Sequence, residues 1–571
     1  MFATVLVLAL PFCAAESASS YAGSTVVDSY PPPGATNTAI DAYFPDASQV
    51  GYAGPTPTGA EPAAIVTAIP FSKVENIFPL SRPNSADGAD SNFNVTRHWG
   101  NLSPMYSVES FGLPDASPII PEGCGLNAVH LLMRHGARYP TSGSGPSQFA
   151  SDIHAAAMKD GFSATDDLEF LATWTYKLGA EILTPFGRES LFSNGVAFRY
   201  RYGQLLNGFT DLPVFRTTSE DRMVDSALNF AAGFFDVRTY KTDYHQEIII
   251  EENNFNNTLA PYDVCPNANS EDIGYFGGTQ ASKWADIYLK DARRRLQPMI
   301  QGLNLTISLL VDMQELCAYE TVALGYSKFC ELFTEEEWEG FEYYNATVDF
   351  VVNKDFWYSN GPGNPTAAAQ GLGYVQELVS RLTHTPIDVW NSSTNSTLDS
   401  SNITFPLNQP IYVDASHDTV ISCIVTALNF TSLAATGPLP TDHIPPHRSY
   451  ISSQIAPFAS QLVAQVISCP ASEEPTHIRF LLNDGVVPLT GIHGCTEDSN
   501  GLCALPSFIS GMHERIGQIN YAHDCFANYT MPNPDNIIDG RYPSQKDDWI
   551  FGRIYLQVAT FCRMLMMSGK R

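Results

Sequence analysis

Basic charge is what this chain has least of. Lys and Arg number 31 against 60 Asp and Glu, a formal charge of -29. Nucleic acid and anionic membrane both demand a positive face, so neither is an expected partner. After the first residues, no apolar run reaches the roughly 18 positions that span a bilayer. His-Glu-x-x-His, Cys-x-x-Cys and the Gly-x-x-x-x-Gly-Lys-Ser/Thr loop are all missing, as is a dinucleotide glycine pattern. Ser142-Gly143-Ser144-Gly145 does not have the spacing of a nucleophile elbow. No metal or nucleotide cofactor is therefore expected. Nor is there a repeat of about 20–50 residues that would build a solenoid or propeller.

What is present points to an oxidising compartment. Met1 to Ala15 reads as a secretory signal, with an apolar stretch from Phe2 to Phe12 and small residues at Cys13-Ala14-Ala15. Cleavage there would leave ten of the eleven cysteines, an even number. Ten Asn-x-Ser/Thr sequons, among them Asn94, Asn101, Asn304 and Asn528, agree with a secreted, extracellular glycoprotein. Residues 16–90 are rich in Pro, Gly, Ala, Ser and Thr and read as a disordered leader. Residues 91–530 read as the folded domain, and 531–571 as a tail of unassigned structure, apolar from Ile554 to Met567.

Inside the domain, the near-continuous apolar run Leu126–Met133 predicts a strand buried on both faces. Further strands are expected at Pro213–Thr217, Glu247–Glu251, Ile411–Ala415 and Ile478–Leu482. Helical spacing appears at Leu168–Leu191 (broken at Pro185), Asp221–Phe235, Trp284–Leu303, Ile307–Leu324, Thr366–Leu382 and Thr419–Leu428. This pattern predicts an α/β fold, a sheet flanked by helices with a helical insertion within about 260–400.

Arg134-His135-Gly136-Ala137-Arg138-Tyr139-Pro140-Thr141 opens directly from the first strand. Gly136 and Pro140 break the regular backbone, placing Arg134, His135 and Arg138 at a strand's carboxyl edge, where α/β folds bind ligands. Two guanidiniums around an imidazole suit an oxyanion with a nucleophile beside it. Taken singly, each is more often an ion-paired Arg or a satisfied core His. His417-Asp418 stands between strand and helix about 280 residues on, in the same context. Asp418 there is equally compatible with an ordinary N-cap. Arg222 begins a helix, where a cation is disfavoured and Glu220 and Asp221 are at home. Either a bound anion or a solvated surface position accounts for it.

Together with His98-Trp99-Gly100-Asn101-Leu102-Ser103-Pro104, Gly361-Pro362-Gly363-Asn364-Pro365, Gln370-Gly371-Leu372-Gly373 and Leu482-Asn483-Asp484-Gly485, these motifs resemble the histidine acid phosphatases. That family is a branch of the phosphoglycerate-mutase-like superfamily, and within it the fungal phytases are most similar. The resemblance implies that His135 is a nucleophile forming a phosphohistidine. It implies that Arg134, Arg138, Arg222 and His417 bind phosphate oxygens, and that Asp418 protonates the leaving alcohol. It also implies disulfides Cys124–Cys469, Cys265–Cys525, Cys317–Cys330 and Cys495–Cys503, leaving Cys423 and Cys562 unassigned.

The expectation is a secreted acid phosphatase acting on small phosphate monoesters, with phytate a candidate substrate. Fungal phytases carry lysines in the loop after the Arg-His-Gly motif, whereas Ser142–Ser151 contains no Lys or Arg. Lys354 could supply part of a positive rim or be a surface residue. A strict phytase, a cytosolic mutase or sugar bisphosphatase, and a non-catalytic phosphate-ligand-binding glycoprotein are the alternatives.

Overall fold

In the computed structural model, which describes residues 93–159, 161–345 and 356–543, the first apolar run lies in strand β1, Gly125–Arg134. The other strands are β2 (Val214–Thr218), β3 (His245–Ile249), β4 (Ile411–Ser416), β5 (Gln461–Ser468), β6 (His477–Leu482), β7 (Gly485–Val487) and β8 (Cys503–Ala504). They form an eight-stranded sheet in the order β8-β6-β5-β1-β4-β2-β3, with β7 paired to β6. β1, β4, β2 and β3 are mutually parallel, and β5 to β8 join antiparallel. The sheet is therefore mixed. Its parallel half gathers four strand carboxyl ends at one edge.

Ten principal helices cover it: α1 (Gly145–Ala157), α2 (Pro185–Tyr202), α3 (Asp221–Phe235), α4 (Phe276–Tyr288), α5 (Lys290–Leu296), α6 (Ile307–Leu324), α7 (Glu335–Asn345), α8 (Ala367–Thr383), α9 (Asp418–Ala427) and α10 (Leu505–Gln518). α4 to α8 fall between β3 and β4. One apolar cluster packs α2 and α3 on one face of the sheet, and a larger one gathers α4 to α10 on the other. Close approach sets the loop after β1. A Cβ on Gly187 of α2 would lie 1.9 Å from the Ala137 carbonyl oxygen, so α2 reaches that loop only through a glycine.

Differences from the sequence expectations have local causes. The Leu168–Leu191 spacing yields a 3-10 helix at Asp166–Ala172, and α2 starts only at Pro185, whose fixed φ suits a first helical position. The Trp284–Leu303 spacing ends in helix at Leu296, with Pro298 just beyond; Ile300–Gln301 instead pairs with Ser163–Ala164. β5 is buried along its whole length, so it lacks the alternation that marks a half-exposed strand. The stretch expected as a loop after the Arg-His-Gly motif, Ser142–Ser151, enters α1 at Gly145, with Pro146 in its first turn.

Four disulfides join Cys124–Cys469, Cys265–Cys525, Cys317–Cys330 and Cys495–Cys503, the pairs implied by resemblance. Cys423 is buried in α9 and its Sγ donates to the Asn360 carbonyl at 3.4 Å. The signal segment, the leader, Lys354, Cys562 and the tail beyond residue 543 lie outside the described residues. Among the described residues, no helix is long and apolar enough to cross a membrane.

Two kinds of buried carboxyl run through the fold. Asp414 of β4 binds Arg216 Nε and Arg381 Nη1, each at 2.6 Å, and Glu377 takes Arg216 Nη2 at 2.6 Å. Burial raises the Asp414 pKa, but the two guanidiniums overcome this and hold it far below the usual range. Other carboxyls have too little compensation. Burial pushes Glu247, Asp312 and Glu320 up to about 7 and Asp399 to about 8.

A folded-state pKa above the unfolded value means that the fold keeps a proton the unfolded chain has released. That stabilisation is complete below the unfolded pKa and declines until pH passes the folded one. Half-buried His98 and buried His130, lowered chiefly by desolvation to about 4 and 3, act in the opposite sense, but only below their unfolded pKa of 6.5. Thermal unfolding should therefore show the melting temperature falling between about pH 6.5 and 8.5. Asp312→Asn should blunt that fall; an unchanged slope would count against the assignment.

Candidate active site

Register builds the site. β1 and β4 pair Arg134 with Ser416, so the residues that follow, His135 and His417, leave adjacent strand ends together. Their rings lie 5.8 Å apart at 68°. β2 ends at Thr218, bringing Glu220 and Arg222 to the same edge at the start of α3, and β3 ends just before Glu251. The carboxyl edge of the parallel half thus collects Arg134, His135, Arg138, Arg222, His417 and Asp418 from three segments far apart in sequence.

His135 is buried, and its Nδ1 lies 2.9 Å from the Gly136 carbonyl oxygen. A carbonyl only accepts, so Nδ1 carries the proton and Nε2 keeps a lone pair in the neutral ring. Burial, followed by Arg134, Arg222 and Arg138, pushes the His135 pKa well below 6.5. Burial and the three guanidiniums therefore all favour the neutral imidazole over the imidazolium.

Arg134 is 0% exposed. Its Nη2 meets Asp418 Oδ2 at 2.6 Å, and its Nη1 donates to the carbonyls of Asn101 and, at 2.9 Å, Ala456. Asp418 is the first residue of α9, with His417 at the cap position, so it is not the N-cap. Its Oδ1 accepts the Thr419 N–H at 2.8 Å and its Oδ2 accepts Asn101 Nδ2 at 2.9 Å. Burial raises this carboxyl, but Arg134, Asn101 and Arg138 outweigh burial and leave it below the usual range.

Arg138 Nη1 donates to the Tyr139 carbonyl at 2.9 Å. Arg222 sits between two carboxylates, Glu181 at 3.2 Å and Glu220. His417 Nε2 lies 3.1 Å from Glu251 Oε2, and Tyr262 OH donates to the other Glu251 oxygen. Burial raises Glu251, yet contact with His417 and the hydrogen bonds hold it at about 2.

Asn101, Glu181, Glu251 and Tyr262 are the site residues missed in sequence. Glu251 closes a predicted strand, and the carboxyl-edge rule would have found it; Asn101 read as a sequon within the His98–Pro104 motif. Among the described residues, Glu220, Glu251 and His417 bring potential ligand atoms within 4.8 Å of one another and could hold a cation. That set shares His417 with the cationic cluster.

The histidine phosphatase superfamily (branch 2) model matches residues 125–483. The chain belongs to that family. This branch-2 histidine phosphatase is 33% identical over 455 residues to Phytase A of Aspergillus awamori, covering 76% of this chain and 92% of that one. It is equally 33% identical over 449 residues to Phytase A of Aspergillus fumigatus, covering 76% and 91%. The crystal structure of the phytase from D. castellii superimposes with a TM-score of 0.60 at 25% identity, over 76% of this chain and 88% of that one. A Bifidobacterium longum multiple inositol polyphosphate phosphatase, solved with inositol hexasulfate, shares the fold at TM-score 0.51 and 14% identity, over 73% and 97%. As a histidine phosphatase, the chain is an enzyme, a phosphoric monoester hydrolase.

Asn101 lies outside the matched range and begins one of the ten sequons, yet its amide is committed to Asp418 and its side chain is buried. In protein passed through a glycosylating host, peptide mapping should find Asn101 bare, while exposed Asn304 and Asn528 remain open to modification. A glycan at Asn101 would contradict this contact.

Proposed function

We propose that the chain is a secreted acid phosphatase that hydrolyses phosphate monoesters, phytate among them, through a phosphohistidine on His135. The supporting observation is the His135 ring itself. Its pKa is pushed well below 6.5 by burial and by Arg134, Arg222, Arg138 and His417, and its Nδ1 faces the Gly136 carbonyl. In the first half-reaction, Nε2 attacks phosphorus in line with the ester oxygen. The N–P bond forms, the P–O bond breaks, and Asp418 passes its proton to the departing alcohol. In the second, water attacks phosphorus, Asp418 takes up a proton, and the N–P bond breaks to release inorganic phosphate.

Charge spreads over the phosphoryl oxygens in such a transfer, so fixed cationic donors carry most of the catalysis. A carboxyl can give a proton only in acid, so activity is greatest at acidic pH. Phytate enters as a substrate because the relatives are named phytases. Secretion draws on the leader, the sequons and the four disulfides.

His135→Ala should abolish turnover of every monoester. Asp418→Asn should lower kcat on glycerol phosphate by about 10²–10⁴, and far less on p-nitrophenyl phosphate, whose leaving group needs no proton. Residual turnover in His135→Ala, or equal losses on both esters in Asp418→Asn, would remove the corresponding role. Phosphate binding without hydrolysis by the unaltered chain would instead favour a non-catalytic binding protein.

A further inference from the structure

Glu220 has no part in that reaction, yet it sits within the cationic cluster. It is the cap residue of α3. Its Oε2 pairs with Arg222 Nη2, lies 4.0 Å from His417 Nε2, and is closed off from solvent. A carboxylate oxygen thus rests between two of the groups that the phosphatase reading assigns to phosphate oxygens. Glu181 holds the other nitrogen of the same guanidinium at 3.2 Å and also accepts the Ser142 N–H at 2.9 Å, where the loop after the Arg-His-Gly motif begins. That loop and the first turns of α1 bring no Lys or Arg as far as Ser151.

We propose that Glu220 is a specificity-determining residue, whose carboxylate competes with substrate phosphate for Arg222 and His417 and disfavours substrates increasingly as they carry more phosphate groups. The proposal rests on the phosphatase reading. A phosphate arriving at Arg222 must share or displace Glu220. Repulsion between like charges at this range is stronger in a half-closed cleft than in water. One phosphate gains enough from Arg134, Arg138 and His135 to enter. A polyphosphorylated ring brings further negative charge toward Glu181 and Glu220, with no Lys or Arg in residues 142–151 to offset it. Negative selection by a placed like charge is a common route to specificity.

The opposite role is that Glu220 merely holds Arg222 in its productive place, and the two differ in sign. In the full chain, Glu220→Gln should bind inorganic phosphate about tenfold more tightly by titration calorimetry. It should also raise kcat/KM for phytate several-fold more than for glycerol phosphate. Glu181→Gln keeps an acceptor for Ser142 and should move both quantities in the same direction. Unchanged or weaker phosphate binding in Glu220→Gln, or an equal change on the two substrates, would overturn the proposal. The substrate ratio is read from one preparation and does not depend on how much of the variant folds. Phosphate binding is read without turnover, so failure of the phosphatase reading would appear separately, as an unaltered chain that binds phosphate and hydrolyses neither ester.

Discussion

A guanidinium with no access to water must be neutralised where it lies, and Arg134 is such a group. Leaving a buried charge uncompensated typically costs several kcal/mol. Arg134 is satisfied by the Asp418 carboxylate, by the carbonyls of Asn101 and Ala456, and by the Phe458 ring, 4.4 Å from its centre. Those partners come from three remote segments: the stretch before β1, the start of α9, and the turn before β5. Satisfying one side chain therefore draws the ends of β1 and β4 together and brings the 93–104 segment across the site. The same charge helps to keep His135 neutral and to depress Asp418, so geometry and proton affinity share one cause.

The acidity of the chain is distributed to match. Some carboxyls, such as Asp414 and Glu251, are ionised because guanidiniums or an imidazole stand beside them. Others, such as Asp312 and Asp399, are pushed up to about 7 and about 8 because burial left them little compensation. A fold built this way is suited to acid, where the second set remains neutral. At the active site the pattern inverts: a cationic floor of Arg134, Arg138 and Arg222 is overlooked by Glu181, Glu220 and Glu251. Glu181 and Glu220 pair with Arg222, and Glu251 with His417, so cationic and anionic groups alternate around the site. The charge that the sequence shows only as a total of -29 acts here through position.

By itself, the sequence determined what depends on neighbours along the chain. The strand–loop motif at Arg134–Thr141, the His417-Asp418 step and α3 at Asp221–Phe235 were all legible, because apolar period, glycine and proline act within a few residues. Resemblance then joined motifs that no local rule connects. Tertiary structure alone decided the rest. β5 went unrecognised because Gln461, Gln465 and Ser468 interrupt its apolar run, and these polar residues are buried by sheet neighbours. Asn101 read as a sequon until its amide was seen committed to Asp418. Glu220 read as a favourable charge at a helix start, and only the parallel register of β4 and β2 placed it beside His417 as well as Arg222. Such roles arise from pairing across hundreds of residues. The physical reason is that local propensity acts over one or two turns of chain, whereas desolvation and Coulomb interaction depend on distance in space.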